Sequence, residues 1–344
     1  MLPKLSSLTL PWSTDWTALF GRSAPLILEI GFGYGVYLMH LARTNPQANV
    51  IGIEIANRCL NAAENAILRE KLDNVRVIYS TAETALHHLF EAQSLSQIHI
   101  NFPDPWFKRS HTHRRLMQRD TLDTMVSRLA PDGRLYLATD IRDYAEMSAD
   151  LLAATAGLDN LLDTKWVYEM PERGGVTKYE AAARRAGRPC HYFAYRRNQV
   201  PVSAVPVIKD LEMPHVVFVS PLSLDEMLTS FTSHKIADYA TRKGTYVSFM
   251  DAYRGAHNVL VEVFVKEPTI EQHFAMLITR REAAGEYTLK LSTLGHPRPT
   301  AGIHRAAALL RNWLLSLHPD SKVLSDKIHD YGIDSAITDD ASPH

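Results

Sequence analysis

Leu28-Glu29-Ile30-Gly31-Phe32-Gly33-Tyr34-Gly35 is the stretch on which the fold turns. Leu26–Ile30 is a short apolar run that reads as a buried strand, and Val36–Arg43 has the pattern of a helix. Between them stand three glycines at alternate positions. Without side chains they let the backbone turn tightly and approach a ligand closely. A turn from strand to helix of this kind, at a carboxyl edge, is where open α/β sheets bind ligands.

Working outward, Val50–Glu54, Val75–Tyr79, Ile98–Phe102 and Arg134–Thr139 repeat the strand signature, too short for helices and rich in Ile, Val and Leu. Ala56–Lys71, Ala82–Glu91 and Leu116–Leu129 read as the helices between them. The alternation predicts a parallel sheet wound by right-handed crossovers. Trp166–Met170 and His191–Arg196 read as two more strands, joined by the glycine-containing connection Arg173–Arg188, which suits an antiparallel end. The expectation is a Rossmann-like, seven-stranded, mostly parallel sheet over residues 1–199. Residues 200–207, with two prolines among small residues, read as a linker. Residues 208–331 then form a smaller α+β domain. Its strands are His215–Ser220, Tyr246–Ala252, Val259–Lys266, Phe274–Arg280 and Tyr287–Leu294. A helix with Ile303, Ala306, Ala307, Leu310, Trp313, Leu314 and Leu317 on one face follows. Residues 332–344 are polar and read as a tail.

Two cofactors compete for the glycine loop. A dinucleotide fingerprint needs a third glycine where this chain has Val36. The pattern acidic-x-Gly-x-Gly-x-Gly instead fits S-adenosylmethionine, with Glu29 near the cofactor ammonium and no pyrophosphate to repel. Gly31, Gly33 and Gly35 then form the cradle. Glu54 ends the second strand about 20 residues later, where an acid accepts ribose hydroxyls. Thr81 and the backbone of Ala82, after the third strand, fall beside the adenine. The fourth strand runs into Asn101-Phe102-Pro103-Asp104-Pro105-Trp106-Phe107-Lys108, where two prolines fix the backbone around one carboxylate. A basic run follows, with Lys108, Arg109, His111, His113, Arg114, Arg115 and Arg119. Placed after an active-site strand end, it reads as a set of nucleic-acid phosphate contacts, with Arg109, Arg114 and Arg115 as candidates.

Together with Gly52-Ile53-Glu54, Thr139-Asp140 and Thr177-Lys178-Tyr179-Glu180, these motifs resemble the bacterial tRNA (guanine-N7-)-methyltransferase family, the TrmB type, over roughly residues 10–198. The resemblance implies methylation of the variable-loop guanine at tRNA position 46. It implies that Glu29, Glu54 and Asp104 contact the cofactor and that Asp104 is catalytic. It implies that Lys108, Asp140 and Thr177, Lys178, Tyr179 and Glu180 contact the substrate. At the adenine side the family often has Asp or Asn where this chain has Thr81. The roughly 140 C-terminal residues lie outside the family's usual core.

Guanine N7 has a free lone pair, so the chemistry needs alignment and a carboxylate beside a ring that becomes cationic, not a strong base. Asp104 fits that need. Asp140 or Glu180 fits recognition of the guanine N1–H and amino group. A net charge of −1 over 344 residues puts any nucleic-acid surface in a local patch, and the first 200 residues are the more basic part. Lys235, Arg242-Lys243 and Arg280-Arg281 are the C-terminal candidates for tRNA contact. Two separated cysteines, Cys59 and Cys190, make neither a disulfide framework nor a metal knuckle, and no metal is expected. No run approaches the roughly 20 apolar residues of a membrane span. The expectation is a cytoplasmic monomer or homodimer. Rival readings are a methyltransferase of the same fold for another RNA or a small molecule, an NAD(P)-dependent oxidoreductase, and a non-catalytic RNA-binding protein.

Overall fold

The computed structural model describes residues 4–231 and 244–329, with Arg109, His113 and Glu172 described by backbone alone. The chain forms two compact units, divided between Lys209 and Asp210. Lys235, Arg242 and Lys243 and the 332–344 tail lie outside the described residues.

The first unit is an eight-stranded sheet of β1 (Lys4–Ser6), β2 (Leu26–Ile30), β3 (Asn49–Glu54), β4 (Val75–Tyr79), β5 (Leu95–Asn101), β6 (Leu129–Thr139), β7 (Leu158–Asn160) and β8 (His191–Arg197). The spatial order is β1-β4-β3-β2-β5-β6-β8-β7. All pairs are parallel up to β6, and β8 pairs antiparallel with both β6 and β7. Strand order reverses at β2, whose neighbours are β3 and β5, so the glycine loop opens at the switch point. Every residue of β2 is buried, which explains an apolar run interrupted only by Glu29. The helices are α1 (Trp16–Phe20), α2 (Val36–Thr44), α3 (Asn57–Glu70), α4 (Ala82–His88), α5 (Arg119–Arg128), α6 (Arg142–Ala153) and α7 (Lys178–Arg185). The sheet's two faces carry separate cores, one around Leu28, Ile51, Ile98 and Leu137, the other around Ile27, Leu38, Val50 and Leu60.

The five expected parallel strands stand within a few residues of their predicted bounds. Trp166–Met170 is a correction: only Val167 bridges to Tyr192, and Leu158–Asn160 supplies the edge strand instead. The Trp166 ring packs edge-on against His191, so its hydrophobicity reports contact with β8, not strand pairing. Lys4–Ser6, too short to show periodicity, adds the eighth strand.

Residues 200–208 lie on this first unit. The fully buried Arg128 donates to Leu86 O (2.7 Å), Val205 O (2.7 Å) and Pro206 O (3.3 Å). Ile208 N–H donates to His87 O.

The second unit holds β9 (His215–Val219), α8 (Leu224–Ser230), β10 (Tyr246–Arg254), β11 (Asn258–Glu267), β12 (Ile270–Arg280), β13 (Glu286–Leu291), α9 (Ala301–Ser316) and β14 (Lys322–Asp326). Its antiparallel sheet has the order β10-β11-β12-β13-β9-β14. Val259, Val261, Val263 and Val265 alternate inward along β11 and meet Ile303, Ala306 and Leu310 of α9. This is the α+β architecture expected, with β14 added.

Candidate active site

The glycine loop is shaped by backbone sterics. Gly31, Gly33 and Gly35 have φ of 69°, 55° and 78°, a region costly for residues with a Cβ. A Cβ on Gly35 would also press to 3.1 Å from the Ala63 side chain. Glu54, at the end of β3, faces this loop. Its Oε2 accepts from Gly33 N–H at 3.0 Å, and its Oε1 accepts from Ile55 N–H and Ala56 N–H.

Glu29 is 1% exposed. Its Oε1 accepts from Asn101 Nδ2 at 2.8 Å. Its Oε2 is buried and has no hydrogen-bond partner among the described residues. Burial pushes the carboxyl up to about 7, against the pull of the Asn101 hydrogen bond and the Arg173 cation, with Glu54 adding to the rise. The amide of Asn101 is oriented from behind, because Arg173 Nη2 donates to its Oδ1 at 2.5 Å. Arg173 is itself 6% exposed and pairs through Nη1 with Glu180 Oε2 at 2.5 Å. Its guanidinium lies 4.2 Å from the Tyr37 ring centre. The buried His99 nearby is held neutral, pushed down to about 3 by desolvation and by Arg173 and His40. A continuous chain Glu29–Asn101–Arg173–Glu180 therefore joins the ends of β2 and β5 to α7.

That chain carries the segment before and within α7 to the glycine loop. Thr177 and Glu180 form a capping box at its start: the Thr177 hydroxyl accepts from Glu180 N–H at 3.0 Å, and the Glu180 carboxylate reaches back to Thr177 N–H. Lys178 Nζ lies 4.4 Å from the Tyr34 ring centre. Tyr179 Cε2 lies 3.6 Å from where a Cβ on Gly33 would be. One narrow cleft of about 20 Å³ is lined by Glu29, Gly31, Tyr34, Asn101, Lys178 and Tyr179, among others.

The proline loop beyond β5 is pinned at several points. Phe102 and Trp106 have φ of 54° and 42°, strained for side chains of this size. Phe102 N–H donates to Ala138 O at 2.8 Å. Arg115 grips the loop, its Nε donating to Pro105 O at 2.9 Å and its Nη2 to Trp106 O at 3.3 Å. Asp104 is exposed, three residues beyond the Asn101 that touches Glu29. Lys108 is exposed, and Arg114 lies 5.2 Å from the Trp106 ring centre.

The sequence-predicted residues thus fall into groups. Glu29, Gly31, Thr177, Lys178 and Tyr179 line one cleft, and Glu54 is tied to the same glycine loop through Gly33 N–H. Glu180 is 1% exposed and engaged by Arg173, Arg184 and the Tyr192 hydroxyl. Thr81 is the cap of α4, its hydroxyl accepting from Thr84 N–H at 3.1 Å; Ala82 opens that helix. Asp140 pairs with Arg188 at 2.8 Å. Arg188 lines a second, open cleft of about 580 Å³ with Tyr168, Met170, Arg184 and Cys190. Arg115 is spent on the loop it follows, and the side chain of Arg109 lies outside the described residues. Sequence reasoning missed Arg173, which sits in a connection without periodicity. Its only signal is an arginine beside Gly174-Gly175, where a Cβ on Gly175 would strike Tyr37 and His40.

A doubly wound sheet with a glycine loop at its switch point and an acid towards the end of both β2 and β3 defines a Rossmann-like methyltransferase of the S-adenosylmethionine-dependent class. A family model described as "Putative methyltransferase" matches residues 23–193. The chain is 35% identical to a tRNA (guanine-N(7)-)-methyltransferase of Cupriavidus pinatubonensis, over 57% of this chain and 77% of that protein. It is 39% identical to a protein of the same name from Halorhodospira halophila, over 53% of this chain and 79% of that one. The chain belongs to this tRNA (guanine-N(7)-)-methyltransferase family. Among solved structures, the 16S rRNA methyltransferase KamB matches with a TM-score of 0.42 at 17% identity, over 54% of this chain and 93% of that chain. No helix among the described residues is long and apolar enough to cross a membrane, and none of their His, Cys, Asp and Glu side chains cluster as metal ligands.

Proposed function

We propose that this chain transfers the methyl group of S-adenosylmethionine to N7 of a tRNA guanine, and that this guanine is the variable-loop base at position 46. The observation that carries the reading is Glu29 Oε2, buried at the glycine loop without a donor among the described residues. An unsatisfied buried acceptor costs about 1–3 kcal/mol, and a cofactor ammonium removes that cost. The remaining residues fit the same group. Gly31 fronts open space for its chain, Glu54 meets the ribose, and Asp104 stands beyond Asn101. The Thr81 hydroxyl is engaged in capping, so the adenine side falls to the backbone of Ala82.

When bound, the cofactor supplies a methyl group made electrophilic by a sulfonium. The chain's own residues hold the base in line with it and balance charge. N7 attacks through its lone pair, so no residue has to remove a proton. The ring becomes cationic as the bond forms, and the exposed Asp104 carboxylate offsets that charge. Of the two carboxylates suited to the guanine N1–H and amino edge, Glu180 is engaged on all sides, and Asp140 takes the role. Releasing its exposed partner Arg188 costs about 0–1 kcal/mol. Lys108 and Arg114 meet phosphates, while Lys178 and Tyr179 shield the cleft from water. A tRNA substrate fits a cytoplasmic enzyme.

The test is an unmodified tRNA transcript incubated with the protein and S-adenosylmethionine, then reduced and treated with aniline, which cleaves at 7-methylguanine. Cleavage is expected at position 46 and lost when that guanine is replaced by adenine. No cleavage, or cleavage at another guanine, refutes the reading.

A further inference from the structure

The second unit covers only one face of its sheet among the described residues. Inward side chains from β9 to β13 pack against α8 and α9. The alternate residues form the opposite face, and two features stand on it.

The first is a row of rings. Tyr246, Phe264 and His273 come from the adjacent strands β10, β11 and β12. Their ring centres are 6.2 Å apart for Tyr246–Phe264 and 6.5 Å for Phe264–His273. Phe264 and His273 are direct register partners. Val265, Val263 and Phe274, the chain neighbours of these residues, are the buried ones, which puts the rings on the open side. The His273 side chain is 55% exposed and pairs through Nε2 with Glu262 Oε1 at 2.7 Å.

The second is a group of cations: Lys290 on β13, Arg281 just after β12 and Lys327 just after β14, around His215 of β9. Lys290 is exposed and stands directly opposite His215. Lys327 N–H donates to His215 O. Arg281 Nη1 donates to Thr288 on the same face at 3.3 Å. His215 is held below its ordinary value by burial and by the charges of Lys327, Arg281 and Lys290. Arg281 is paired with Glu286. Lys290, Lys322 and Lys327 carry no ion pair among the described residues. At about 4.8 Å between strands and about 3.4 Å per residue, the ring row and the cations lie about 17 Å apart across the sheet. The register pair Glu262 and Ala275 lies between, and Leu260 and Leu277 continue the row of Lys290.

Rings inclined at 58° and 78° to one another, which take bases singly, and unpaired cations that offer charge to phosphates, are the two halves of a single-strand nucleic-acid site. We infer that the open face of the second unit binds a short unpaired RNA segment, its bases on the Tyr246–Phe264–His273 row and its phosphates at Lys290 and Lys327. That the strand belongs to tRNA rests on the proposed function; the face itself does not.

The experiment uses the full chain with a fluorescein-labelled single-stranded RNA of about twelve nucleotides, read by anisotropy over a salt series, and an unmodified tRNA transcript for methyl transfer. Phe264→Leu keeps an apolar side chain and removes the stack; its affinity for the oligonucleotide falls about tenfold. Lys290→Glu lowers affinity comparably and reduces the salt slope by about one. Both variants melt within about 2 °C of the parent and keep kcat at saturating tRNA while KM for tRNA rises. Lys108→Ala, in the first unit, is the internal comparison. Unchanged oligonucleotide affinity in both variants overturns the inference. So does a parent dimer that Phe264→Leu dissociates, because the face then belongs to a second copy. Oligonucleotide binding lost in the variants with no methyl transfer by the parent sinks the proposed function and leaves the face standing.

Discussion

Replacing Glu29 by Gln trades function for stability at one buried atom. The carboxyl titrates at about 7 in the folded protein against an ordinary 4.5. An acid whose folded value is raised binds more protons folded than unfolded, so its contribution is fully present below pH 4.5 and is lost as pH rises through about 7. At about 1.4 kcal/mol per pH unit, the full loss is about 3 kcal/mol, of which about 2–3 kcal/mol falls between pH 5 and pH 8. Glu29→Gln removes this ionisation and keeps the acceptor for Asn101, while its new amide donor faces the site that Oε2 faced. The parent therefore loses about 2–3 kcal/mol more than the variant over that pH interval. For a unit of this size that corresponds to about 5–10 °C in the difference of melting temperatures. The assay is thermal unfolding of both proteins, free of cofactor, at pH 5, 6, 7 and 8. In the same samples the variant's affinity for S-adenosylhomocysteine falls by about a hundredfold at pH 8, since an ammonium loses its charged partner. Parallel melting curves across the whole pH range would refute the reasoning, because the burial cost of Glu29 would then be absent.

Other consequences follow from the same geometry. Asp104→Ala abolishes methyl transfer while tRNA binding measured by filter retention stays within about twofold. Arg173→Gln strips the buried Glu180 of one partner and frees the Asn101 amide to turn; the melting temperature falls by an amount worth about 3 kcal/mol, and KM for the cofactor rises more than kcat falls. Arg128→Met leaves the carbonyls of Leu86, Val205 and Pro206 without their donor and costs about 3 kcal/mol in denaturant unfolding. Lys108→Ala weakens tRNA binding and lowers its salt slope by about one, with kcat unchanged at saturation.

What the sequence disclosed was local. The Leu26–Gly35 stretch carries its strand, its turn and its acid in ten consecutive residues, so its reading needs no knowledge of distant partners. Glu54 and the proline loop are legible for the same reason, being the ends of strands that alternate with helices. The network behind them is not. Arg173 acts through Asn101 and Glu180, 72 and 7 residues away, and a buried arginine leaves no periodic trace. Thr81 and the Thr177–Glu180 pair show the other limit. Both occupy helix-start positions where Thr caps, and resemblance alone marks them as ligand contacts. In Glu180 the buried ion pairs with Arg173 and Arg184 now account for the residue. Trp166–Met170 misled because an apolar segment packed on a strand and a strand paired to it share one pattern. In the second unit, β-alternation in Val259–Lys266 exposed the sheet, but which face stayed uncovered required the positions of α8 and α9.

Proton release on cofactor binding is the most direct test of the claim that Glu29 Oε2 waits for a cationic group. Titration calorimetry with S-adenosylhomocysteine at pH 6.5, repeated in buffers of different ionisation enthalpy, counts the protons. A carboxyl titrating at about 7 is about three-quarters protonated at that pH, so about 0.7 proton leaves per molecule bound. Glu29→Gln releases none. Equal release by parent and variant, or binding that leaves the proton count at zero in both, would contradict the account.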